Sequence, residues 1–188
     1  MDDTKKFIGR EGIQLFLKSV GGELAPKLVA NMLEPISDED LAEKCNMRAA
    51  DVRMVLNKLH SKGIIDYNRS KDKDSGWYYY GWFLRPDKLF EAYVEHKKRD
   101  LETIEERLEN NEMYSVYICR KCEQTYDFDR ASELLYHCPL CESILDRSIT
   151  EDDLRRMSKI SAAIKKEIEE IGKFSSLLNK RYKSTKVL

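Results

Sequence analysis

Four of the five cysteines in this 188-residue chain are spaced as metal ligands. Cys119-Arg120-Lys121-Cys122 is followed, after fifteen residues, by Cys138-Pro139-Leu140-Cys141. Two C-x-x-C pairs at that separation can bring four thiolates around one tetrahedral Zn²⁺, with bonds of about 2.3 Å each. Four sulfurs close the coordination sphere, so the implied cofactor is one structural zinc ion. Thiol–disulfide chemistry at a single C-x-x-C would need a βαβ setting that the flanking pattern does not offer. His137 stands beside the second pair but is not required as a donor, and it reads as a bystander. The three histidines, His60, His96 and His137, are scattered. No nucleophile–base pairing can be argued from them, which points away from an enzyme. The fifth cysteine, Cys45, falls on the apolar side of a predicted helix and reads as core.

The elements that must hold the cysteines are short. Thr125-Tyr126-Asp127-Phe128 alternates polar and aromatic residues and predicts a strand, with Tyr117-Ile118 and Leu135-Tyr136 as its partners in a zinc ribbon. One departure stands out. Ribbon knuckles often carry glycine after the second cysteine, yet Glu123 and Glu142 occupy those positions. A non-glycine residue at positive φ there costs on the order of 1 kcal/mol, which predicts weaker metal binding or a modified turn.

Upstream, Ile13, Phe16, Leu17 and Val20 recur at helical spacing until Gly21-Gly22. A second helix carries Leu24, Leu28, Val29 and Met32 and is closed by Pro35. Ser37 and Asp40 have capping-box spacing and open a helix that buries Leu41, Ala42 and Cys45. The next helix, 48–62, has Ala49, Val52, Val55, Leu56 and Leu59 as its inner stripe, and Gly63 suits the position beyond its end. Two β-prone runs, Ile64 to Tyr67 and Trp77 to Leu84, flank the polar turn Ser70 to Gly76 and predict a hairpin. Helices, helix–turn–helix and hairpin in that order make an extended winged helix over residues 1–86.

Pro86 opens a long helical linker, 87–112, whose Phe90, Val94, Lys97, Leu101, Ile104 and Leu108 form a heptad seam. The ribbon spans 113–147. A final amphipathic helix with a basic tail, 148–188, is capped by Thr150 and carries Leu154, Met157, Ile160, Ile164, Ile168, Ile171, Phe174 and Leu178 on one side. The two long helices predict an antiparallel pair; the alternative is a seam kept for a partner protein. The fold class is thus mainly α with small β elements.

Charged residues make up 36% of the chain, yet the formal net charge is −1, which argues against coating DNA by bulk charge. The charge is lopsided, because residues 46–86 carry eight Lys/Arg against four Asp/Glu (8 − 4 = +4), while 1–45 carry six against nine (6 − 9 = −3). That asymmetry suits a modest, oriented nucleic-acid contact. On helix 48–62 the outward Arg48, Arg53, Asn57 and Lys58 are candidates, with Arg53 and Asn57 able to bond base edges. Asp51 and Met54 weaken that case. In the hairpin, alternation lets half of the aromatics from Trp77 to Phe83 enter a core, leaving the rest for a protein or for unpaired bases. No apolar run is long enough to span a membrane, no signal peptide is recognisable, and the cysteine usage suits a reducing compartment. A soluble intracellular protein is therefore expected.

An extended winged helix ending in Ser75-Gly76-Trp77-Tyr78-Tyr79-Tyr80-Gly81-Trp82, a charged helical linker and a four-cysteine ribbon together resemble the archaeal transcription factor E family. That family is similar to the N-terminal half of the large (alpha) subunit of the general transcription factor TFIIE. The resemblance runs from about residue 10 to 147 and leaves the last helix unmatched. It implies a non-catalytic basal initiation factor that binds the clamp of RNA polymerase, joins the TATA-binding protein and transcription factor B at promoter DNA, and favours the open complex. It places the wing near the melted non-template strand, which makes Lys71, Lys73, Trp77, Tyr78, Tyr79, Tyr80 and Trp82 contact candidates, with helix 48–62 as a further one. The ribbon would be a second polymerase contact. The resemblance leaves room for a second, beta subunit, and it implies a monomer when free, in the archaeal cytoplasm and at the nucleoid through polymerase. The competing reading is a dimeric, sequence-specific winged-helix repressor with a structural or sensing zinc site, whose helical seams would form the dimer interface.

Overall fold

The computed structural model describes residues 2–71, 76, 78–110 and 115–185, with side chains for 3–71, 76, 78–110 and 115–179. Lys73 and Trp77 lie outside the described residues. Two compact units are present, one made of residues up to Glu95 together with those from Ile171 onward, the other of His96–Glu170. The fold is mainly α with small antiparallel sheets. Among the described residues, no helix is long and apolar enough to cross a membrane.

The first unit begins with a helix that the polar start of the sequence conceals, α1 (Asp2–Ile8). Ile8 is buried and Phe7 stacks on Phe174 at 4.4 Å, so two apolar residues at its end anchor a turn of charged ones. Helix α2 (Glu11–Gly21) buries Ile13, Phe16 and Leu17, and Gly22 ends it at φ 89°, where a side chain would be strained. Helix α3 (Ala25–Ala30) is shorter than expected, stopping five residues before Pro35, and Leu24 caps it half-exposed instead of joining the core.

Helix α4 (Asp38–Cys45) has the expected cap, with Ser37 Oγ accepting the Asp40 N–H at 3.0 Å and donating to the Asp40 carboxylate at 2.7 Å. Asn46 turns the chain through the left-handed region at φ 50° into α5 (Ala49–Ser61), which buries Val52, Val55, Leu56 and Leu59. Strands β1 (Ile65–Lys71) and β2 (Tyr78–Leu84) pair antiparallel, from Ile65 opposite Leu84 to Lys71 opposite Tyr78. Ile36 adds a one-residue third strand by exchanging backbone hydrogen bonds with Trp82, at 2.9 and 2.7 Å. A Cβ at Gly81 would sit 3.3 Å from Pro35 Cβ, so glycine permits this close approach.

The first ten residues of α6 (Pro86–Glu109) close this core with Leu89, Phe90 and Tyr93. Ile171, Leu178 and Phe174, from the end of α8 (Glu151–Thr185), pack onto it. Phe90 meets Phe174 at 5.3 Å, and the Ser175 hydroxyl donates to the Asp87 carbonyl at 3.4 Å.

In the second unit Glu105 of α6 accepts from the Ser161 hydroxyl at 3.4 Å and from Lys165 Nζ at 2.5 Å, so α6 and α8 pair there too. The seam of α8 differs from expectation at two positions, where Ser161 and Ser175 are buried, although Phe174 still packs against the first core. Ile160 is half exposed, while Ser161 is buried. Leu154, Met157, Ser161, Ile164, Ile168, Ile171, Ser175 and Leu178 step by three and four in strict alternation, so two serines hold heptad positions that apolarity alone does not reveal. Thr150 caps α8 as expected, its Oγ1 accepting the Asp153 N–H at 3.2 Å.

Candidate functional site

Two places gather the residues that the sequence singles out. The first is the cysteine cluster of the second unit. Its sheet has the order β4–β3–β5, with β3 (Tyr117–Ile118) central, β4 (Thr125–Tyr126) on one side and β5 (Asp146–Arg147) on the other. Leu135-Tyr136 is not a strand. Asp127 accepts the Arg130 N–H at 2.8 Å and starts a helix, α7 (Phe128–Glu133), and Leu135 and Tyr136 then reverse the chain at φ 51° and 58°.

Both knuckles use one backbone pattern. The Glu123 N–H donates to the Cys119 carbonyl at 2.8 Å, and the Cys119 N–H donates to the Gln124 carbonyl at 3.0 Å. The Glu142 N–H repeats the first bond with Cys138 at 2.8 Å, and the Cys138 N–H repeats the second with Ser143 at 2.8 Å. Glu123 and Glu142 sit in the left-handed region at φ 55° and 57°, so the turns are the ordinary ones despite lacking glycine.

The four sulfurs lie within 4.8 Å of one another, and Cys119 Sγ is 3.5 Å from Cys141 Sγ. A tetrahedral ion with metal–sulfur bonds of about 2.3 Å separates its ligands by about 3.8 Å, so this cluster fits a metal ion. The surroundings divide the thiols. Hydrogen bonds from Ser143, and then from Cys122, hold Cys141 down to about 6. Cys122, hydrogen-bonded to Cys141 and withdrawn from water, is pushed up to about 12. A cation would let all four ionise together. The Tyr126 hydroxyl, 3.6 Å from Cys138 Sγ, supplies an outer hydrogen bond. His137 faces away from this role, with Nδ1 2.7 Å from the Leu135 carbonyl.

The second place is the hairpin and the helix beside it. Directly opposed residues of an antiparallel pair project to one side. Tyr67 with Trp82, Arg69 with Tyr80, and Lys71 with Tyr78 therefore share a face, which Ile65 and Leu84 continue into the core. Tyr78 and Tyr80 are half exposed on it, and the Arg69 guanidinium lies 3.7 Å from the Tyr78 ring centre, with Lys71 Nζ at 5.8 Å. Tyr79 is exposed on the opposite face. Arg69 and Tyr67 are absent from the sequence-derived candidates. Only the strand register brings them in, since both precede the aromatic run.

The arginines at and just before α5 are already occupied. Arg48 Nε donates to Asp51 at 2.8 Å, while Arg53 binds Asp38 at the start of α4 and lies 3.6 Å from Glu39. The Asp51 and Asp38 carboxylates raise the pKa of Arg48 and Arg53, respectively, through hydrogen bonds and charge. Lys58, Asn57 and the apolar Met54 remain exposed on this helix.

The pattern that defines the TFIIE alpha subunit family matches residues 16–113. Transcription factor E from Thermococcus kodakarensis is 32% identical over 150 residues, covering 76% of this chain and 81% of that protein. Transcription factor E from Pyrococcus abyssi is 33% identical over 145 residues, covering 74% of this chain and 76% of that protein. The protein of that name from Saccharolobus islandicus strain Y.N.15.51 is 32% identical over 145 residues, covering 77% and 81%.

Proposed function

Since the chain belongs to the TFIIE alpha subunit family of general transcription initiation factors, we propose that it binds RNA polymerase at the promoter and stabilises the open complex. In this reading it acts with the TATA-binding protein and transcription factor B. The polymerase clamp is its protein partner, and the melted non-template strand its nucleic-acid partner. It performs no chemistry of its own. Cys119, Cys122, Cys138 and Cys141 hold one Zn²⁺, and its work is to fold the ribbon, because four thiolates leave no position for substrate or water.

The observation that carries the reading is the hairpin face, on which Tyr78, Tyr80 and Trp82 alternate across the strands with Arg69 and Lys71. Aromatic rings beside cations suit unpaired bases on a phosphate backbone, and such stacking is worth about 1–3 kcal/mol per base. The paired state of Arg48 and Arg53 favours the same conclusion, since a helix whose arginines are held by carboxylates is poorly suited to duplex phosphates. That pairing also disfavours a dimeric repressor reading an operator with α5.

Melting is assisted by linkage. A factor that prefers open over closed complex shifts the equilibrium by its differential affinity and no further. A tenfold preference corresponds to about 1.4 kcal/mol. The test compares binding of the purified chain to duplex DNA, to polymerase on duplex, and to polymerase on a pre-melted bubble. The expected order is negligible, moderate and about tenfold tighter. Tight duplex binding with operator preference, or indifference to polymerase, would overturn the proposal.

A further inference from the structure

Where α5 meets β2 the surface is indented by a cleft of about 200 Å³, lined by Asp38, Arg53, Asn57, Tyr80 and Trp82. Its walls are of two kinds. Tyr80 and Trp82 form an aromatic wall braced by Tyr67, which meets Tyr80 edge-on at 5.3 Å and Trp82 at 5.1 Å. His60 meets Trp82 edge-on at 5.7 Å. The facing wall is polar, with the exposed Asn57 amide and the Arg53–Asp38 pair.

From this arrangement we infer that the cleft takes one unstacked base of the melted strand, adenine in preference, lying against Tyr80 and Trp82 with its edge on Asn57. The inference rests on the reading of the hairpin face given above and adds a specific subsite to it. Three observations converge. A cavity of about 150 Å³ already admits a benzene ring, so this one has room for the ring of a base. The ligand must be close to neutral, because Arg53 is bound to Asp38, with Glu39 nearby, and so offers no net charge to a phosphate or carboxylate. The amide of Asn57 presents a donor and an acceptor side by side, a pattern that adenine matches through N6 and N7. Continuity supplies the route. The Tyr80 that walls the cleft pairs across the hairpin with Arg69, and Lys71 lies two residues on along the same face. A backbone tracking Arg69 and Lys71 can therefore turn one nucleotide in toward α5.

The experiment uses the whole chain with RNA polymerase on a pre-melted promoter whose non-template strand is made abasic at one position at a time. Affinity of the chain for each complex is read by titration. We expect one position at which loss of the base weakens binding about tenfold and restoring adenine recovers more than restoring thymine or cytosine. In the Asn57→Leu chain, which alters an exposed helical residue and should fold normally, that position should lose its distinction while dependence on Arg69 and Lys71 persists. A flat abasic scan, or a scan unchanged by Asn57→Leu, overturns the inference and leaves the hairpin reading intact. If Arg69→Ala and Lys71→Ala have no effect on the preference for the bubble, the hairpin reading fails and the cleft reading falls with it.

Discussion

Glutamate in the left-handed region is an uncommon way to end a cysteine knuckle, and both knuckles of this ribbon end so. At φ 55° and 57° the Cβ of Glu123 and of Glu142 crowds the neighbouring carbonyl, whereas glycine carries no such penalty. The backbone hydrogen bonds of the two turns are nonetheless the same, so both knuckles keep one turn pattern despite that crowding. Glu123→Gly and Glu142→Gly should each stabilise the metal-bound ribbon by up to about 1 kcal/mol, less whatever is lost to a more flexible unfolded chain. Chelator titration followed by near-ultraviolet circular dichroism will show it, as a higher chelator concentration for half release. The ligands predict the opposite change. In the proposed zinc-bound ribbon, Cys119→Ser or Cys138→Ser removes one of the two buried cysteine ligands and should release the metal and unfold β3–β5. The core of the first unit contains neither cysteine, so its amide protection in hydrogen exchange should be retained. Loss of protection through α2 and α5 as well would show that the units do not fold separately.

Among the elements, the start of α8 isolates one cap. Thr150 Oγ1 donates to the Asp153 carboxylate at 2.7 Å, the Thr150 N–H donates to the same carboxylate at 3.1 Å, and together these hold Asp153 below the usual carboxylate range. A carboxyl whose folded pKa is depressed stabilises the fold above its ordinary pKa, and that contribution fades as pH falls through the lowered value. Thr150→Ala should return the Asp153 titration toward the ordinary value in an NMR pH series. Loss of such a cap costs about 0.5–2 kcal/mol of helix stability. This cap was readable from the sequence, as were the Ser37 cap and Gly63, because each is a local bond between residues three or four apart or a single backbone preference. The inner stripes of α2, α4 and α5 were legible for a related reason, since their periods are regular. What escaped depends on tertiary context. Helix α1 is anchored by Phe7 and Ile8, which join a core built from residues far along the chain. Helix α7 was hidden because a short alternation also fits a strand, and the Asp127 cap decided between them. Ser161 displaced Ile160 because heptad phase, and not apolarity, chose the buried position. Of the candidate sites, spacing alone picks out the four cysteines whose sulfurs the structure brings within 4.8 Å of one another. The hairpin face was half visible, since Arg69 and Tyr67 enter it only through the register with β2.

For the molecule as a whole, a formal net charge of −1 leaves little long-range field, so in the proposed role the local cations must act on DNA at short range. That makes the salt dependence of open-complex binding a count of the cations in use. Neutralising phosphates of a single strand releases counterions, and the logarithm of affinity falls with the logarithm of salt by about 0.7 for each phosphate engaged. Arg48 and Arg53 already satisfy Asp51 and Asp38, which among the described residues leaves Arg69 and Lys71 as hairpin cations placed to contribute. Arg69 and Lys71 together should therefore contribute about −1.4 to the difference in slope between polymerase on a pre-melted template and polymerase on duplex, since contacts to polymerase common to both cancel in the difference. Arg69→Ala should make that difference less negative by about 0.7, and Arg69→Ala with Lys71→Ala by about 1.4, while Arg53→Ala should leave it unchanged. A slope difference that responds to Arg53 and ignores Arg69 would transfer the nucleic-acid contact from the hairpin to α5. The Asp38 pair would then have to open on binding, and the molecule would be working through the duplex-reading helix of its fold after all.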